Sequence, residues 1–210
     1  MTSSADESAA TDRSLPDVPR LIFLDSNIVQ NLASFGEFIY ENGPVTDVDS
    51  KLENKGQDIR DDVLALAELM DLGRRGGLPF VISPRVAEEL SVPRRNLAKR
   101  RQLAFSSNEW PHYSSGLLEA VAEESASSSS PRAIRVNPRQ RRCAHESMST
   151  LRNEGDRQLM VDALELGCDT FLTMDYKIWD ARDSIRRFGI RVLRPVELMN
   201  EMRPLAGLVR

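Results

Sequence analysis

The chain has 210 residues, of which 40% are hydrophobic, and a formal net charge of −4 at pH 7. This size and composition fit one domain with a sizeable core, and no apolar run approaches the roughly 18 residues of a membrane span. Four acids and one arginine in residues 1–19 contribute −3 of the charge, so the remainder is nearly neutral and a strongly basic or acidic protein is excluded.

The N-terminal segment, residues 1–19, has neither an apolar run nor an early basic cluster, so it matches neither a secretory signal nor a membrane anchor. Its composition predicts a disordered tail before a single domain over residues 20–210. Cys143 and Cys168 are the two cysteines, and neither has a partner at metal-ligand spacing. Since a disulfide framework and a zinc site are both disfavoured, we expect a soluble cytoplasmic protein without membrane contact.

The first predicted element is a short buried strand over residues 21–25, where a continuous apolar run ends at Asp25. A helix is predicted to begin at Ser26. Residues 43–56 are rich in Gly, Pro, Asp and Asn, which predicts a loop. A long helix is predicted over residues 58–75, because apolar side chains recur at helical spacing between early acids and late arginines.

A second buried strand is predicted over residues 80–82. Ser83 and Pro84 then offer a favourable N-cap and first helical position. At about 100° per residue, Glu89 falls beside the apolar stripe of this helix, and Glu88 points to the other side. We therefore expect Glu89 to face inward, with Glu88 as the alternative.

Residues 93–152 predict a mostly helical insertion with one flexible loop at the serine-rich segment 125–131. Two basic runs in this region could guide the phosphates of a polyanion, and the candidate residues are Arg94, Arg95, Lys99, Arg100, Arg101, Arg139, Arg141 and Arg142. Trp110, His112 and Tyr113 offer candidate stacking surfaces. The alternative for such runs is a solvated helix face.

The C-terminal part predicts a helix in which Asp156 lies on the apolar side, because the following apolar residues project in nearly the same direction. A strand over residues 170–174 ends at Asp175 and is followed by a short helix. A further strand over residues 190–193 and a final helix opened by Pro195 complete the predicted elements.

Helices that alternate with continuously apolar strands predict an α/β fold with a central parallel sheet covered on both faces. Ligands bind at the carboxyl ends of the strands in such sheets, where Asp25 and Asp175 are expected. Each acid alone could merely cap a helix. Carboxylates that crowd together persist only if a cation neutralises them, which implies Mg²⁺ or Mn²⁺.

The segments LIFLDSN, ISPRVAEEL, GDRQLMVDAL and FLTMD resemble the four acidic motifs of the PIN-domain nucleases, which include the VapC-like ribonucleases. The resemblance covers residues 21–92 and 153–202. It implies a three-layer α/β/α sandwich and hydrolysis of RNA phosphodiester bonds by a metal-activated water. The catalytic and metal-binding acids that it implies are Asp25, Glu89, Asp156 and Asp175, with Asn27 and Thr173 as supporting polar residues.

The resemblance also bears on partners. RNA is the implied substrate, and a homodimer and an antitoxin-like inhibitor protein are further implied partners. Residues 93–152 are longer than the corresponding connection of the compact VapC toxins, which argues against a toxin.

Two other functions stay open from the sequence. The chain could be a catalytically silent PIN-like module that binds RNA or regulates another protein. It could also be a haloacid-dehalogenase-like phosphatase, because that family ends its first strand in a catalytic Asp. Such phosphatases normally carry a second Asp two positions later, where this chain has Asn27.

Overall fold

The computed structural model describes residues 18–41, 43–53, 55–76, 78–91, 148 and 150–206. Most of the predicted N-terminal tail lies outside these residues. So does nearly all of the predicted insertion, including both basic runs and the stacking candidates Trp110, His112 and Tyr113. None of the described helices is long and apolar enough to cross a membrane.

The described residues form an α/β fold around one four-stranded sheet. Its strands are β1 (Ile22–Leu24), β2 (Phe80–Val81), β3 (Thr170–Leu172) and β4 (Arg191–Leu193). The helices are α1 (Ser26–Ser34), α2 (Gly36–Glu41), α3 (Val45–Leu52), α4 (Gln57–Gly76), α5 (Pro84–Ser91), α6 (Glu154–Glu165), α7 (Tyr176–Asp180), α8 (Arg182–Arg186) and α9 (Pro195–Ala206). The predicted α/β class and parallel sheet are confirmed.

The strands pair in the order β2-β1-β3-β4, and every pair is parallel. The chain leaves β1 for β2 on one side, whereas β3 lies on the other side of β1 and leads outward to β4. The direction of winding therefore changes between β1 and β3. In open α/β sheets, the carboxyl ends of the strands beside such a switch point form the crevice where ligands bind.

The centre of the sheet is apolar and closely packed. Phe23 of β1 stacks on Phe171 of β3, with the ring centroids 5.1 Å apart, and both side chains are fully buried. Burial of each such side chain contributes roughly 1.5–3 kcal/mol to stability. This packing holds β1 and β3 in register and so determines where the residues that follow them lie.

The prediction of a loop over residues 43–56 is wrong, because α3 occupies most of this stretch. Pro44 is at the N-cap position of α3, and Val48 and Leu52 are buried against the rest of the core. The helix-breaking residues therefore flank the helix instead of interrupting it. The short helices α2 and α8 were also not predicted, whereas the predicted positions of the other described elements agree to within about two residues, the usual uncertainty of an element end.

A buried ion pair joins α4 to the carboxyl end of β4. Arg194 Nε donates to Asp62 Oδ2 at 2.9 Å, and Val196 N donates to Asp62 Oδ1 at 3.2 Å. Asp62 is fully buried and Arg194 is 8% exposed. Burial raises the pKa of Asp62, and the hydrogen bond from Arg194 opposes that rise. Breaking one partner of such a pair is costly, so this contact fixes α4 against the start of α9.

Candidate functional site

Asp25 follows β1 directly and is 2% exposed. It holds the N-cap position of α1, with φ −67° and ψ 155°, yet its side chain does not cap that helix. Its Oδ2 atom instead accepts hydrogen bonds from Thr173 Oγ1 at 2.6 Å and from Asn27 Nδ2 at 2.8 Å. The carboxylate is therefore turned towards the end of β3.

Asn27 and Thr173 join the carboxyl ends of β1 and β3. Thr173 Oγ1, besides donating to Asp25, accepts a hydrogen bond from Asp175 N at 3.0 Å. Asn27 Oδ1 accepts one from Met174 N at 3.0 Å. Because these bonds connect residues far apart in the sequence, they hold Asp25 in one orientation at the switch point.

The environment of Asp25 opposes its negative charge. Burial is the main cause, and it raises the pKa of Asp25 to about 6 although the Thr173 hydrogen bond lowers it. The carboxylates of Asp156 and Asp175 raise the pKa further. The acids that follow β1, lie in α6 and follow β3 are therefore close enough for their charges to interact.

Asp156 lies in the first turn of α6, but it does not cap that helix. Asn153 is the N-cap, and its Oδ1 atom accepts a hydrogen bond from Gly155 N at 3.1 Å. Asn153 Nδ2 also donates to Asp156 Oδ1 at 2.9 Å. Burial raises the pKa of Asp156, and the carboxylates of Asp175 and Glu89 add to the effect. The Asp156 carboxylate thus interacts electrostatically with an acid on α5 and with the acid that follows β3.

Glu89 is half-buried on α5, and its charge acts on Asp156. The Glu88 side chain lies outside the described part of the structure. The electrostatic effect on Asp156 is consistent with an inward-facing Glu89, and the choice between Glu89 and Glu88 stays a prediction.

The Asp175 side chain caps a helix. Its Oδ1 atom accepts a hydrogen bond from Lys177 N at 2.8 Å, which caps α7. Helix capping, which is the simplest explanation for an acid after a strand, therefore applies to Asp175 and not to Asp25 or Asp156.

The four acids are close enough to interact but do not form a complete ligand set. Among the described residues, no group of three or more His, Cys, Asp or Glu side chains is placed to hold a metal ion. None of the ion pairs between described residues includes Asp25, Glu89, Asp156 or Asp175. Asp25 and Asp156, whose pKa values are raised and which form no ion pair with another described residue, suit a hard divalent cation chemically.

Two residues that the sequence analysis did not single out follow Asp175 in the chain. Lys177 follows Asp175 closely, and its charge lowers the pKa of Asp156. Tyr176 lies between them in the sequence, and Arg194 is packed over its ring. These two residues could have been identified from the sequence, because an aromatic and a basic residue directly follow an acid at the end of a strand.

Comparison with known proteins finds no match. No model of a known protein family fits the chain, no curated protein matches its sequence, and no solved structure matches it.

Proposed function

We propose that the chain is a Mg²⁺- or Mn²⁺-dependent endoribonuclease of the PIN-domain type. The observation that carries the proposal is the buried Asp25 carboxylate at the switch point of the sheet, whose pKa is raised by burial and by two further carboxylates. Keeping this group charged costs free energy, and such groups are characteristic of functional sites. A bound divalent cation would remove that cost.

The topology supports the finer part of the proposal, a three-layer α/β/α sandwich. Crossovers between parallel strands are almost always right-handed. Because the connections from β1 and from β3 run in opposite directions across the sheet, this rule assigns their helices to opposite faces.

Each residue of the site has a role in the proposed reaction. Asp25, held by Thr173 and Asn27, is the fixed ligand, and Asp156, Asp175 and Glu89 complete the ligand set. Asp175 would have to release its cap on α7 to turn inward. When bound, the ion supplies an activated water and neutralises the charge on the leaving oxygen.

The test is cleavage of single-stranded RNA by the purified full-length chain in Mg²⁺ or Mn²⁺. We expect products with 5′-phosphate and 3′-hydroxyl ends, and we expect Asp25→Asn to abolish cleavage. Glu68→Gln is the matched control, because it removes one carboxylate from an exposed part of α4. Equal cleavage by the Asp25→Asn variant would refute the proposal.

A second candidate is a module that binds RNA without cleaving it. The observation that favours it is that Asp175 caps a helix and that no three acids among the described residues are placed to hold one metal ion. Calorimetric titration with Mg²⁺ and Mn²⁺ separates the two candidates. Salt-sensitive RNA binding without any divalent-metal binding would support the module.

A further inference from the structure

We infer that Tyr176 is a stacking platform for one base of a single-stranded RNA bound at the carboxyl ends of β1 and β3. The inference rests on the proposed function, because it names how the same site holds its substrate. It adds a residue that contacts the substrate through its ring and not through charge.

Tyr176 is the exposed aromatic side chain closest in sequence to the acids. It follows Asp175 directly, so the two Cα atoms are about 3.8 Å apart. The residue is 39% exposed, which makes it one of four exposed large hydrophobic residues among those described. The other three are Val18 before β1, Tyr40 in α2 and Val45 in α3.

Neighbouring side chains fix the orientation of the Tyr176 ring. The Arg194 guanidinium carbon lies 4.4 Å from the ring centroid, and the Tyr176 and Trp179 rings are nearly perpendicular, at 88°, with centroids 6.4 Å apart. The hydroxyl donates to Asp58 Oδ2 at 3.2 Å. Arg194 is in turn held by the buried Asp62 carboxylate. The contacts with Arg194, Trp179 and Asp58 therefore orient the ring, and part of the residue stays exposed to solvent.

A ring held in this way suits base stacking. An aromatic side chain that is already ordered loses little conformational entropy when a base stacks on it. Stacking is also independent of charge, whereas the carboxylates of Asp25, Asp156 and Asp175 repel RNA phosphates when no cation is bound. Tyr176 thus supplies an attraction that the acids cannot.

The structural alternative is that Tyr176 only covers the Arg194 guanidinium. The two roles predict different results for Tyr176→Phe and Tyr176→Leu. Leucine still covers Arg194 with apolar atoms but has no π face, whereas phenylalanine keeps the ring and loses only the hydrogen bond to Asp58. A covering role makes Leu and Phe equivalent for RNA affinity, and a stacking role does not.

The experiment measures the affinity of the full-length chain for a fluorescein-labelled oligoadenosine 10-mer by anisotropy in Mg²⁺. Both variants are made in the Asp25→Asn background, so that the probe stays intact. We expect Tyr176→Phe to keep the affinity and Tyr176→Leu to weaken it by about 5- to 150-fold, the range for loss of one stacked base. A probe that lacks a single base should bind the Phe and Leu variants equally if the missing base is the one that stacks on residue 176.

Each outcome gives a decision. Equal affinity of the Leu and Phe variants for the intact probe overturns the inference, and RNA cleavage by the unmodified chain would then leave the proposed function standing. If the unmodified chain neither cleaves nor binds RNA, the proposed function fails together with the inference. Thermal unfolding shows whether Tyr176→Leu folds, and if it does not, Tyr176→Trp replaces it. Weaker binding by the Trp variant would then overturn the inference, because its larger ring should stack at least as well.

Discussion

The raised pKa of Asp25 predicts that Asp25→Asn stabilises the metal-free protein at neutral pH. The folded-state pKa is about 6, against 3.8 for an ordinary aspartate. At about 1.4 kcal/mol per pKa unit, charging this group in the folded state costs about 3 kcal/mol. Asparagine has the same shape, and its carbonyl oxygen can take the Oδ2 position to accept the bonds from Thr173 and Asn27.

The predicted effect has a definite pH dependence. Between about pH 4 and pH 6, the folded protein keeps the proton on Asp25 and the unfolded chain has lost it. The stability of the unmodified protein therefore falls as pH rises through this window and then levels off. The Asn variant lacks this contribution, so its advantage should grow from near zero at pH 4 to about 3 kcal/mol above pH 6.

Urea unfolding in EDTA at pH 4, 5, 6, 7 and 8 measures this difference, with Glu68→Gln as the control for loss of an exposed carboxylate. A difference between Asp25→Asn and the unmodified chain that does not change with pH would refute the assigned pKa. Saturating Mg²⁺ should stabilise the unmodified chain and not the variant, because only binding to the folded state shifts unfolding. Equal stabilisation of both would refute Asp25 as a ligand.

Three further predictions concern the contacts around the site. Thr173→Val removes the hydroxyl that lowers the pKa of Asp25, so that pKa, followed by NMR titration, should rise above about 6, and a fall would contradict the assignment. Gly73→Ala places a Cβ 2.6 Å from a ring carbon of the buried phenylalanine of β2, and the overpacking cost of about 1–3 kcal/mol should outweigh the helix-propensity gain of about 1 kcal/mol; a raised Tm would refute this. Arg194→Met leaves Asp62 buried without its cationic partner, so urea unfolding should show a loss of about 3–5 kcal/mol at pH 7, and a loss below about 1 kcal/mol would show that water reaches the carboxylate.

The strands and most helix boundaries could be predicted because their signals are local. A continuous apolar run ended by Asp25 marked β1, and Ser83 followed by Pro84 marked the start of α5, where Ser83 Oγ accepts from Val86 N at 3.4 Å. The helix α3 was missed because Val48 and Leu52 are stabilised by burial against other elements, which the composition of the segment does not show.

The sequence did not show which of the strand-end acids caps a helix and which does not. Asp25 and Asp175 both follow a strand and precede a helix, so local rules assign both of them a capping role. The structure separates them, because the Asp25 carboxylate accepts a hydrogen bond from Thr173, which lies 148 residues away, and does not cap α1. Asp175 has no such competing donor among its described contacts and caps α7.

The α/β class, the apolar strands and the acids at their ends could be identified from the amino-acid sequence, because hydrophobic periodicity and capping preferences act over a few residues. The strand order, the position of the switch point and the pairing of Asp62 with Arg194, which are 132 residues apart, became visible in the folded chain. These features depend on contacts between distant segments and on the loss of water around charged groups. Neither is expressed in any short stretch of the chain.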